Sequence, residues 1–172
     1  MGDPGPDDRD AVAVLLGRQP QGDFEVVVRR ADYAPMVIRN APLLADGTPM
    51  PTLYWLVDDD LRRAVSTLEA SGGVRAAERE VDPDDVAAAH ARYRAERDAA
   101  IPADHAGPRP SGGVAGTRTG VKCLHAHYAW HLAGGDDPIG RWTAARLPPL
   151  PGAPNPRTGG PARHQGEGRR EL

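Results

Sequence analysis

Sulfur and large aromatic bulk are what this chain has least of. Among 172 residues there is one cysteine, Cys123, and one phenylalanine, beside three tryptophans and four tyrosines. A single cysteine excludes an intramolecular disulfide and fits a reducing compartment. Apolar residues make up 40% of the chain, but many are alanine, so the expected core is modest. Positive charge is not in surplus either: 21 basic against 24 acidic residues give a net charge of −3. A chain without a positive field has no sequence-independent attraction to phosphate backbones, and no nucleic-acid partner is expected. No run approaches the roughly 18–20 apolar residues that cross a bilayer. Residues 1–10, rich in Asp, Gly and Pro, lack the basic start of an export signal. The expectation is a cytoplasmic protein without membrane insertion.

What is present fits one domain of ordinary size with tail to spare. Residues 1–8 are expected to be a disordered N-terminus and residues 9–146 a single domain. Residues 147–172, with six prolines, five glycines and no apolar periodicity, are expected to be a disordered tail. Asp7 or Asp8 can cap a helix over residues 9–16, with Gly17 ending it. Two β-branched runs, residues 24–30 and 35–39, predict a hairpin, and residues 52–57 a third strand. In that third run Tyr54 and Trp55 fall on opposite faces, so that one belongs to the core and the other either lines a cleft or, the favoured reading, packs like the first with its polar tip at the surface. Asp58 to Asp60 cap an amphipathic helix with the buried stripe Leu61, Ala64, Val65 and Leu68, ended at Gly72-Gly73. A polar helix over residues 84–99 is expected to pack through a narrow alanine face. Residues 102–120 form a loop that feeds a helix over 121–133, and Asp136-Asp137 cap a last short helix opening at Pro138. The fold class is α+β: a small, mainly antiparallel three-stranded sheet covered by four or five helices, with the 121–133 helix central.

The chemistry concentrates on that helix. At 100° per residue, Cys123, His127 and His131 share a stripe at i, i+4 and i+8, with His125 on the other side. A thiolate and imidazoles suit zinc, and i, i+4 spacing lets two of them converge on one ion. Three ligands across about 12 Å of axis do not converge, so the rest would come from Asp58, His90 or His105. The alternative is a buried central helix whose histidines bond to the backbone. In the first turn, beside Lys122, the Cys123 thiol would be favoured as a thiolate, which allows a Cys-His nucleophile. No third group to orient such a base is identifiable, and a lone cysteine is far more often a small buried hydrophobe.

The loop before the helix offers an anion site. Gly116 and Gly120 let backbone N–H groups approach a ligand, the helix N-terminus attracts negative charge, and Arg118 and Lys122 neutralise phosphate-type oxygens. It is not a Walker A loop, because Cys123 follows Lys122. Arg29-Arg30 and Arg62-Arg63 are taken as ordinary solvated charges.

Four segments carry a resemblance: Leu16-Gly17-Arg18-Gln19-Pro20; the run Asp46-Gly47-Thr48-Pro49-Met50-Pro51-Thr52-Leu53-Tyr54-Trp55-Leu56; Val121-Lys122-Cys123-Leu124-His125-Ala126-His127; and Asp137-Pro138-Ile139-Gly140. Together they resemble the domain of unknown function 501 family, which the resemblance places chiefly in actinobacteria. The family supplies no catalytic residues. Its genomic setting, beside a septum-formation protein and an exopolyphosphatase, implies a protein partner in division or polyphosphate metabolism. Relatives are expected to carry Cys where Asp58 stands, so a metal site here would depend on Asp58, and glycine where Tyr33 stands in the hairpin turn. Three functions remain open: a small regulatory or binding module holding an anionic small molecule, a metal-dependent or thiol enzyme, and a structural partner of the division machinery.

Overall fold

The computed structural model describes residues 6–148. Its elements run α1 (Pro6–Leu16), β1 (Phe24–Arg29), β2 (Pro35–Asn40), β3 (Tyr54–Leu56), α2 (Asp59–Ala70), α3 (Gly73–Glu80) and α4 (Pro83–Ala99), then a 3-10 turn (Val114–Gly116), α5 (Leu124–Leu132) and α6 (Pro138–Ala144). The architecture is the expected α+β. The strands form one antiparallel sheet in the order β1-β2-β3. The expected tail lies outside the described residues from 149 on, as do residues 1–5 of the N-terminus.

β2 is the middle strand, and its β-branched residues are buried on both faces. Ile38, paired with Val26 and Trp55, joins Val12 of α1, Phe24 and Val57 in a small cluster. Val37 lies opposite Leu56 and joins the main core, where α5 packs. Alternation along the strand therefore puts α1 on one face of the sheet and α5 on the other. Six of the nine residues of α5 are buried, and the helix packs against β3, α2 and α6. It crosses α6 closely because of Gly140, where a Cβ would sit 2.4 Å from His131 Cβ and 2.6 Å from the His127 carbonyl oxygen.

Three local readings change. The expected helices gain a sixth, α3, because Gly72 (φ 90°) both ends the turn after α2 and opens the next helix one residue later. A left-handed glycine, read from sequence as a stop, here serves as a corner between two helices. Helix α1 starts at Pro6, with Asp7 and Asp8 inside its first turn rather than ahead of it. Helix α4 does not pack through alanine alone: it buries Val86, Ala89, His90, Tyr93 and Arg97. Arg97 is fully buried. Its guanidinium donates to the carbonyls of Pro110 (3.1 Å), Ser111 (3.3 Å) and Gly112 (2.9 Å) and pairs with Asp98 at 2.8 Å. A buried charge persists only with such partners, and here they tie the long loop down to α4.

Candidate functional site

Two carboxylates from distant parts of the chain already occupy the start of α5. The Leu124 N–H donates to Glu69 Oε1 from the end of α2. The Val121 N–H donates to Glu78 Oε1 of α3 at 2.9 Å. Two of the backbone donors at the helix entry are thus satisfied from within, and two carboxylates of the protein itself already face the positive helix end. The expected anion residues are also divided. Lys122 opens onto one cleft, while Arg118 and Gly120 line another, beside Glu78, Val86 and His90. Gly116 packs near Pro51, 3.1 Å from where its Cβ would stand. The four do not form one site.

The candidate metal ligands are dispersed as well. Cys123 is the residue before α5, in extended conformation (φ −157°, ψ 146°), so it has no helical phase with His127 or His131. It is partly buried. Burial pushes its thiol up and the Glu69 carboxylate adds to the rise, contrary to the thiolate that a first-turn position implied. His127 is fully buried with Nδ1 2.7 Å from Asp137 Oδ2, and Asp137 Oδ1 accepts from the N–H groups of Ile139 (2.9 Å) and Gly140 (3.1 Å). The other ring nitrogen, Nε2, has no partner among the described residues and lies in an edge-to-face contact with His90, 5.7 Å between centroids. His131 is half-buried, and burial lowers its pKa. Asp58 caps α2 through the Leu61 N–H (2.9 Å) and is gripped by Arg30, whose Nη2 donates to Oδ1 at 2.7 Å. Burial raises the Asp58 carboxyl, but Arg30 and the cap outweigh it and hold it below the usual range. Among the described residues no group of three or more His, Cys, Asp or Glu side chains is placed to hold a metal ion.

What the fold does assemble is a cleft of about 650 Å³ between the end of α1, β3, α2 and the start of α5. Arg62, Arg63 and Ser66 come from α2, Lys122, Cys123 and His125 from the α5 entry, and Trp55 and Leu16 from the sheet and α1. The four chain segments are brought together because α5 packs on β3 and α2 at once. His125 sits in the wall with Nδ1 3.2 Å from Glu69 Oε1 and Nε2 3.2 Å from both Ser66 Oγ and the Arg62 carbonyl. Arg62 donates to the Leu15 carbonyl (3.0 Å) and Asp59 Oδ1 (3.2 Å), and Arg63 to Asp60 Oδ1 (3.1 Å). Such exposed pairs contribute about 0–1 kcal/mol, so a stronger anion can draw both guanidinium groups. Three permanent cations line the cleft against one carboxylate, Asp59. Of the aromatic pair, Tyr54 is core and Trp55 is partly exposed in the cleft wall.

Arg62 and Arg63 are the residues that sequence reasoning passed over. The usable signal was their position on the polar side of α2, with Ser66 four residues beyond Arg62 on the same face. Glu69 and Glu78 carried no local signal, because what they cap lies more than 40 residues away.

A family model described as "Protein of unknown function (DUF501)" matches residues 26–145. No curated protein and no solved structure gives a match. The matched stretch contains the sheet from Val26 onward and every helix except α1. The chain belongs to that family.

Proposed function

We propose that this DUF501 protein is a small-molecule binding module whose anion site is the cleft of Arg62, Arg63, Lys122 and His125, rather than the glycine loop. The observation that carries the reading is the convergence of three cations, two from α2 and one from the segment entering α5, on one cavity whose lining has a single carboxylate, Asp59. Two of the three are held only lightly: Arg63 is exposed with Asp60 as its partner at 3.1 Å, and the nearest partner of Lys122 is the Ala115 carbonyl at 3.4 Å, whereas Arg62 also ties α2 to the Leu15 carbonyl. A phosphate-type group accepts from guanidinium donors in pairs and from an ammonium as a point charge. Both donor types are present. The cation-rich cleft favours this reading over a metal or thiol enzyme, whose residues are dispersed and whose thiol is protonated by its burial.

The test is thermal melting of the full chain with phosphate, pyrophosphate and sulfate. An anion present at 100 times its dissociation constant stabilises the folded state by about 2.7 kcal/mol. That corresponds to a rise of about 5–11 °C for a domain of this size. Lys122→Ala and Arg63→Ala should abolish the rise, while Arg118→Ala in the other cleft should leave it intact. If no anion shifts the melting point, or if Arg118→Ala alone removes the shift, the reading fails.

A further inference from the structure

One wall of the cleft is chemically unlike the other. Arg62, Arg63 and Lys122 make a charged side, whereas Trp55 and Leu16 make an apolar one. An inorganic anion would satisfy the first and leave the second in water. Trp55 is only partly buried, while the other two tryptophans are 3% and 8% exposed in the core. A large indole surface kept at a cleft wall is a stacking platform, because every flat aromatic ring presents a π-face to it. The Arg18 guanidinium stands 5.4 Å from the Trp55 ring centroid, so a base stacking on this indole takes the other face or displaces Arg18.

Size and charge narrow the occupant. The volume of about 650 Å³ falls in the range of about 300–1,000 Å³ that small organic ligands occupy, far more than one phosphate fills. Three cations against Asp59 on the lining and Asp60, which pairs with Arg63 at 3.1 Å, leave an excess of one positive charge, and a phosphomonoester carries about −1.5 to −2 at neutral pH. The hydroxyls of Ser66 and Thr52 on the lining can donate to and accept from a sugar. We infer that the cleft takes a nucleoside mono- or diphosphate, its base against Trp55 and its phosphate on Arg62, Arg63 and Lys122; this rests on the anion reading of the same cleft.

Calorimetric titration of the full chain with AMP, ADP, GMP, adenosine, phosphate and pyrophosphate separates the two claims. The expected result is that the nucleotides bind at least about tenfold more tightly than pyrophosphate or phosphate, the size of one base–aromatic stack. Trp55→Leu should close that gap and Trp55→Phe restore part of it. Independently of any variant, the indole emission of the unaltered protein should be quenched by AMP and not by phosphate, since the other two tryptophans are out of reach in the core. If nucleotides and pyrophosphate bind equally, or AMP leaves the emission unchanged, the nucleotide assignment is overturned while the anion site stands. If none of the six binds, both fall.

Discussion

Asp137 supports the most demanding test of how this core is held. It is fully buried, and its carboxylate serves two elements at once: Oδ1 caps α6 through Ile139 and Gly140, and Oδ2 lies 2.7 Å from His127 Nδ1 on α5. Replacing it with alanine removes a helix cap, worth about 0.5–2 kcal/mol. It also strips His127 of its one hydrogen bond in a site without solvent, worth about 1–3 kcal/mol for the group left unpaired. The sum is about 2–5 kcal/mol. At about 2–4 °C per kcal/mol, Asp137→Ala should melt about 4–20 °C below the parent protein. Asp137→Asn should lie between, because its carbonyl keeps the cap while its amide can face only the bare form of Nδ1 and so forces the proton to Nε2, where no acceptor waits. Urea unfolding of the three proteins checks this, with the midpoint falling and the slope unchanged. An Asp137→Ala protein within about 1 kcal/mol of the parent would refute the account, since either loss alone is of about that size.

Gly140→Ala should destabilise by about 1–3 kcal/mol through overpacking, because the added methyl meets His131 Cβ and the His127 carbonyl oxygen at the α5–α6 crossing; a melting point equal to the parent's would show that the crossing has slack. Acid should act in two stages. Burial lowers the pKa of His90 and His131 from the ordinary 6.5, so only the unfolded chain gains their protons at first and stability should begin to fall as pH drops below about 6.5. Asp58, held below the ordinary 3.8, keeps its contribution above that value and loses it as pH falls toward the folded-state value. Unfolding free energies at pH 7.5, 5.5 and 3.5 check both stages, and a flat profile from 7.5 to 5.5 contradicts the first. Because burial raises its pKa, Cys123 should react with a thiol reagent at pH 8 more slowly in the native protein than in urea. Equal rates would show the thiol to be activated after all.

The sequence by itself determined the elements whose causes are local. β-branched runs made the hairpin, Asp58 and Asp137 the caps they looked like, and the apolar stripe Leu61, Ala64, Val65 and Leu68 placed α2. Its family was legible too, because the strings around Thr52 to Leu56 and Lys122 to Ala126 are distinctive and lie within the matched stretch. The buried character of the 124–132 helix was likewise visible as apolar residues all round it. Only the tertiary structure decided the site. Whether a helix end is open to a ligand depends on what else reaches it, and Glu69 and Glu78 arrive from other helices. Whether a histidine is a ligand depends on its partner, and His127 found Asp137 across the α5–α6 crossing. Arg62 and Lys122 are 60 positions apart in the chain, and no local pattern can announce that they line one cavity. Periodicity reports which face of an element is buried; it is packing that sets which charges share a cleft, because they are joined through space and not along the chain.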